Sequence, residues 1–191
     1  MPMNRYHRWL CRSDLWARAV ARDMIPWALD GVDLGTDVLE IGPGYGATTV
    51  ALATRVPRLT AVEIDVELAR GLRARLGDQV RVLEGDGAAI PLPDNSFTGV
   101  GSFTMLHHVP SVALQDRVFA EAFRVLRPGG TFAGMDGVPS LGFWLIHLND
   151  TYVPVNPDTL APRLRAVGFR DIWLTAVSGR SFRFRARKPL S

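Results

Sequence analysis

Lysine is all but missing: of 22 basic residues only Lys188 is a lysine, so arginine carries the positive charge. Cysteine is almost as scarce. Cys11 stands alone, which excludes an intrachain disulfide and any multi-cysteine zinc or iron–sulfur site, and fits a reducing compartment. No run reaches the roughly 18 consecutive apolar residues of a membrane span. The start of the chain carries Arg5 and Arg8 in place of a signal-peptide core, so the expectation is a cytoplasmic protein with no membrane insertion. The four histidines, His7, His107, His108 and His147, show neither an HExxH motif nor an i,i+4 pair, and no metal is expected. Net charge is only +3. Arginines gather near both ends, as Arg5, Arg8, Arg12, Arg18 and Arg22 and again as Arg180, Arg183, Arg185 and Arg187. A nucleic-acid footprint normally brings a larger excess, so these clusters read as solvated surface and nucleic acid is not expected as a partner.

What remains is a globular composition. With 191 residues and 47% apolar content the chain suits one domain with a continuous core, residues 1–191, and shows no low-complexity segment. Trp9, Trp16, Val20, Met24 and Trp27 recur near helical spacing, which predicts an amphipathic N-terminal segment, 1–34, broken before Pro26, that packs on the sheet or lids a site. Short apolar runs then alternate with helical stretches, the pattern of βαβ units. Strands are predicted over 38–41, 59–64, 80–83, 100–103 and 131–135, with helices over 48–54, 66–76 and 113–126, the last stopped by Pro128-Gly129-Gly130. Asn156-Pro157-Asp158 starts a helix that Gly168 ends. A hairpin follows, 172–177 and 181–187, turned at Ser178-Gly179-Arg180, with Phe182, Phe184 and Ala186 on one face and Arg183, Arg185 and Arg187 on the other.

Chemistry concentrates where strands end. Glu40-Ile41-Gly42-Pro43-Gly44-Tyr45-Gly46 joins a strand to a helix, and glycines there let backbone lie against a ligand. A dinucleotide pyrophosphate would be repelled by Glu40, whereas the ammonium of an amino acid would be attracted. Glu63 closes the second strand, placed to accept from both hydroxyls of a ribose, and Asp86 follows the third, placed to accept from an exocyclic adenine amine. Three acids at three successive strand ends share one crevice.

These residues, with Ala61-Val62-Glu63-Ile64-Asp65, Gly85-Asp86-Gly87, Leu106-His107-His108-Val109-Pro110 and Arg124-Val125-Leu126-Arg127-Pro128-Gly129-Gly130, resemble the small class I S-adenosylmethionine-dependent methyltransferases of the type 11 group, which includes the ubiquinone/menaquinone C-methyltransferases. The resemblance covers about 38–135. It implies a three-layer α/β/α Rossmann-like sandwich whose seven-stranded, mostly parallel sheet has an antiparallel last strand. It also implies S-adenosylmethionine as cofactor, a binding core over 36–136, and a lid and substrate segment with the hairpin over 137–191. Carried over, Glu40, Gly42 and Gly44 would hold the methionine part, Glu63 the ribose, and Asp86 with Gly87 the adenine, while Phe103 would line the methionine side through its backbone. Asp65 would either assist at the ribose or start the next helix. Thr98-Gly99 departs from the group's usual acid there and is expected to alter only local strand geometry.

The function expected from this resemblance is methyl transfer to an unidentified acceptor, a small molecule in the leading reading. His108 is the candidate general base, with His107 beside it, although for both the preferred reading is a residue that caps or packs a loop. The stretch 143–152, with His147, Asp150 and Tyr152, would either line the acceptor pocket or simply pack. Two other classes stay open. An RNA methyltransferase is favoured by Ala61-Val62-Glu63-Ile64-Asp65 and opposed by the lack of an Asn/Asp-Pro-Pro-aromatic motif at Ser102-Phe103-Thr104-Met105; a non-catalytic S-adenosylmethionine binder is the third.

Overall fold

The computed structural model describes residues 4–177 and 180–190. The strands are β1 Asp37–Ile41, β2 Arg58–Glu63, β3 Arg81–Glu84, β4 Phe97–Phe103, β5 Leu126–Gly137, β6 Arg170–Val177 and β7 Ser181–Arg187. They form one sheet in the order β3-β2-β1-β4-β5-β7-β6. Only β7 runs against its neighbours, wedged antiparallel between β5 and β6. Strand order reverses at β1 and β4, so the crevice for a ligand opens at their carboxyl ends. Ser178 and Gly179 of the predicted hairpin turn lie outside the described residues.

Helices cover both faces. Helices α6 (Val112–Val125) and α8 (Pro157–Val167) lie over a core that includes Leu39, Phe119, Phe132 and Leu164. On the other face α4 (Ala47–Ala53), α5 (Val66–Leu76) and the N-terminal helices enclose Val38, Leu52, Leu72 and Ala133. Alternate β1 residues feed opposite cores, as the period of two demands. The predicted start of α8 is found: the Asn156 side chain accepts from the Asp158 N–H at 2.9 Å, Pro157 opens the first turn, and Gly168 ends the helix at φ +119°.

Two expectations are corrected. The N-terminal helix is not broken before Pro26. From α2 (Asp14–Ala19) a widened π turn over Val20–Met24 leads directly into α3 (Ile25–Ala28), and this change of hydrogen-bond pattern just before Pro26 accommodates a residue that has no N–H to give. The helix before Pro128-Gly129-Gly130 ends earlier than predicted, at Val125, and these three residues are already strand. A register shift between Phe97 and Gly99 absorbs them, the kind of irregularity at which a sheet tolerates proline.

The alternation in β7 holds. Phe182, Phe184 and Ala186 are buried, while Arg183 reaches the Trp27 carbonyl and Asp30, and Arg185 donates to the Gly31 carbonyl at 3.0 Å. These arginines tie the N-terminal segment to the far edge of the sheet. The Thr98-Gly99 departure has the same kind of role: the Thr98 hydroxyl accepts from the Asp37 N–H at 2.9 Å and donates to the Leu34 carbonyl at 2.9 Å, so the chain entering β1 lies directly across β4. A Cβ on Gly99 would stand 2.4 Å from that carbonyl oxygen. Gly99→Ala should therefore lower stability by about 1–3 kcal/mol, read as a lower denaturation midpoint with an unchanged m value.

Candidate active site

Glu40 sits on the β1 face that looks toward α4 and is 1% exposed. One carboxylate oxygen accepts from the Thr48 hydroxyl in the first turn of α4, and the other has no hydrogen-bond partner among the described residues. Burial pushes its carboxyl up to about 7, an effect the Thr48 bond offsets only in part. Across the sheet its register partner is Gly101, and the Phe103 ring folds into the space a Gly101 side chain would occupy.

Gly42 and Gly44 both take left-handed backbone, at φ +68° and +55°. A Cβ on Gly42 would strike Met105, whereas Gly44 faces open space. Glu63 fixes this loop: its two oxygens accept from the N–H groups of Gly44 and Asp65, each at 2.9 Å. Each oxygen keeps a further lone pair for a hydroxyl. Asp65 is the N-cap of α5, accepting from the Glu67 and Leu68 N–H groups, so the helix-start reading is the one found. Asp86 lies two residues past β3, exposed, with one oxygen on the Ala88 N–H at 2.8 Å. A Cβ on Gly87 would stand 2.6 Å from the Ile41 side chain.

Glu63, Asp86, Gly87, Gly42, Gly44 and Phe103 line a single cavity of about 360 Å³. Glu40 stands behind its wall, reaching it through Thr48. The opposite wall comes from two short helices, α1 (Arg5–Cys11) and α7 (Leu141–Ile146), through His7, Cys11, Phe143 and His147. These form a cap. The Asn4 side-chain amide donates to the carbonyls of Ile146 at 2.8 Å and Leu148 at 3.1 Å, and Asp150 accepts from the Asn4 N–H and from His7 Nδ1, the latter at 2.7 Å. Within the N-terminal segment α1 lines the cavity through His7 and Cys11, α2 lies against α4, and α3 lies against α4 and β5. Within 143–152, Phe143 and His147 face the cavity while Trp144, Leu145 and Leu148 are exposed.

All four histidines meet under this cap. Their linear spacing gave no sign of it. His107 is the best anchored: Asp136, fully buried at the end of β5, accepts from His107 Nδ1 at 2.5 Å, from the His107 N–H at 3.2 Å and from the Gly137 N–H at 2.6 Å. His147 Nε2 lies 3.1 Å from His107 Nε2, and its Nδ1 is 2.7 Å from the Phe143 carbonyl. His108 Nδ1 is 3.1 Å from the Thr151 carbonyl. Burial, then the neighbouring His107, pulls His108 down to about 2, while burial holds His147 near 4. An imidazole that weakly basic is a poor general base near neutrality, and His107 beside it is the ring that Asp136 holds. Sequence reading missed Asp136, because it lies on a strand with no motif of its own, and His7, because it precedes the recognisable core.

Residues 39–134, half of the chain, match the family model described as a methyltransferase domain. The chain belongs to this family of class I S-adenosylmethionine-dependent methyltransferases, and its cofactor is S-adenosylmethionine. Similar curated proteins include a ribosomal RNA small subunit methyltransferase A of Chlorobaculum parvum, 40% identical over 80 residues, 42% of this chain and 28% of that protein. A sterol 24-C-methyltransferase of Yarrowia lipolytica is 31% identical over 138 residues, 67% of this chain and 32% of that protein. The chain thus spans about a third of the length of these relatives. Among solved structures, a putative methyltransferase in complex with the Haloferax volcanii Trm112 methyltransferase activator shares the fold, with a TM-score of 0.75 at 18% identity over 99% of this chain and 100% of that one. The expectation that nucleic acid is not a partner finds no support here, since the matches include a protein named for ribosomal RNA. Among the described residues no helix is long and apolar enough to cross a membrane.

Asp136→Asn would put an amide N–H₂ in place of one of the two accepting oxygens, against at least one of their three donors, in a fully buried place. It should cost about 1–3 kcal/mol of stability, measured by denaturant titration of the purified chain.

Proposed function

We propose that this chain transfers the methyl group of S-adenosylmethionine to a small-molecule acceptor held beneath the cap. The observation that carries the reading is the buried Glu40 oxygen with no hydrogen-bond partner among the described residues, behind Thr48 in the wall of the cavity that Glu63 and Asp86 line. A buried carboxylate lacking a partner is costly, and an ammonium is the donor that completes it. On this reading Glu40 holds the amine of the methionine part, the backbone at Gly42 and Gly44 lies along it, Glu63 takes the ribose, Asp86 with Gly87 takes the adenine, and Phe103 walls the methionine side. The cofactor supplies a methyl group already activated on a sulfonium. The chain's own residues then align an acceptor with it, exclude water with the cap, and accept a proton at His107 Nε2, whose ring Asp136 orients.

The enclosure of the cavity by α1 and α7 favours a small acceptor. An RNA acceptor is the second reading, favoured by the identity to the ribosomal RNA methyltransferase over 80 residues. Incubation with methyl-labelled S-adenosylmethionine and fractionated extract separates them: label should enter the low-molecular-weight fraction, and label in RNA would reverse the order. No transfer to any fraction would leave a cofactor binder. With an acceptor in hand, His107→Gln should slow turnover roughly 100-fold or more with cofactor affinity retained.

Glu40 also sets a pH dependence. Its folded carboxyl titrates near 7 against 4.5 for the ordinary group, so the folded cofactor-free protein binds the extra proton, and its stability falls as pH rises through that window. Cofactor binding needs the ionised form. Affinity for S-adenosylhomocysteine by calorimetry should therefore rise between about pH 6 and 8 and then level off. Glu40→Gln should weaken it at least about tenfold and remove the pH dependence, while leaving the unfolding midpoint at pH 8 unchanged or higher.

A further inference from the structure

The histidine cluster has a property that acid–base chemistry alone leaves unexplained. Each ring has its Nδ1 against an oxygen: His7 against the Asp150 carboxylate, His107 against Asp136, His108 against the Thr151 carbonyl and His147 against the Phe143 carbonyl. Those acceptors fix every ring with its proton on Nδ1, and the Nε2 atoms are left as lone pairs. Two of these, on His107 and His147, face each other at 3.1 Å, a repulsive contact unless a cation stands by them. A single shared proton relieves one such pair. It does nothing for His7 and His108, whose rings lie 4.5 Å and 5.2 Å from that of His147.

We propose that His7, His108 and His147 form a binding site for a late first-row divalent cation, of which Zn²⁺ is the natural probe, with an open position toward the cavity. One ring nitrogen of each lies within 4.8 Å of the other two. Ligands on a tetrahedral ion with bonds of about 2.0–2.1 Å stand about 3.3 Å apart, so modest ring rotations complete the set. Imidazole nitrogen suits Zn²⁺ and its neighbours, and three protein ligands with a vacant fourth position is the arrangement of a reactive site. The oxygens on Nδ1 supply the support such ligands need, most clearly the buried Asp150 behind His7. His7, His108 and His147 all line the cavity that holds Glu63 and Gly44.

Resting on the methyl-transfer reading above, the site also narrows the acceptor class to a small molecule with a hydroxyl or thiol. Its heteroatom would take the open position, give its proton to His107 and meet the methyl group as an anion.

The test uses the full chain, stripped with a chelator and titrated with Zn²⁺ against a chromophoric competitor, and with Co²⁺ followed by visible absorption. One ion per chain is expected, with the intense Co²⁺ bands of a four-coordinate site. His7→Ala and His147→Ala should each lose about 100-fold or more in affinity, and the milder Asp150→Asn, which keeps all three ligands, about 10–100-fold. Absence of stoichiometric binding by the folded chain would overturn the proposal, as would binding that survives in His7→Ala and His147→Ala. Affinity for S-adenosylhomocysteine, measured on the stripped protein, reads the cofactor site separately: its failure would sink the methyltransferase reading and leave the metal result standing.

Discussion

A carboxylate set inside a sheet is the constraint around which this molecule is arranged. Glu40 occupies a central strand, next to the point where strand order reverses, and the Thr48 hydroxyl bonds one of its two oxygens. Water would hydrate such a group and the protein interior does not, so its carboxyl is held near 7. The surroundings keep that cost from being relieved by collapse. Gly101 removes a side chain opposite, Phe103 fills the gap with a ring that offers no hydrogen bond, and Glu63 holds the glycine loop open by taking the Gly44 N–H. What is left is a buried carboxylate oxygen with no hydrogen-bond partner among the described residues, and on the proposed reading a cationic amine completes it.

The cap is the second organising feature, and its physics is long-range. Asn4 and Asp150 are joined across nearly the whole chain by hydrogen bonds that neither α1 nor α7 could satisfy alone. Both helices are short, α1 with seven residues and α7 with six, well below the length at which a helix is stable by itself. Each is held by the other and by the aromatic contacts of His107, Phe143, His147 and Tyr152. That packing is also part of the cavity wall, through His7, Phe143 and His147.

Much of the fold was legible from the residues. Strand and helix identities across the core followed from local periodicity and from caps acting within one turn, as at Asn156 and Gly168, and β7 showed its alternation outright. The departures also have local causes. The π turn before Pro26 and the bulge at Pro128 are ways of placing a residue without an N–H that a tally of breakers cannot distinguish from an end. Likewise Thr98-Gly99 looked like a neutral substitution, and its packing against Leu34 makes it a contact that admits nothing larger.

For the site itself, the residues alone determined the half made by strand ends. Glycines at a strand-to-helix turn and acids at successive strand tips are placed by the backbone that carries them, so their order along the chain is already their order in space. The other half was decided only on folding. His7, His107, His108 and His147, with Asp136 and Asp150, come from four separate elements and meet because the cap buries them together. No spacing along a chain encodes contacts whose cost is the closure of loops many residues long, and that cost is met by packing, which exists only in the finished structure.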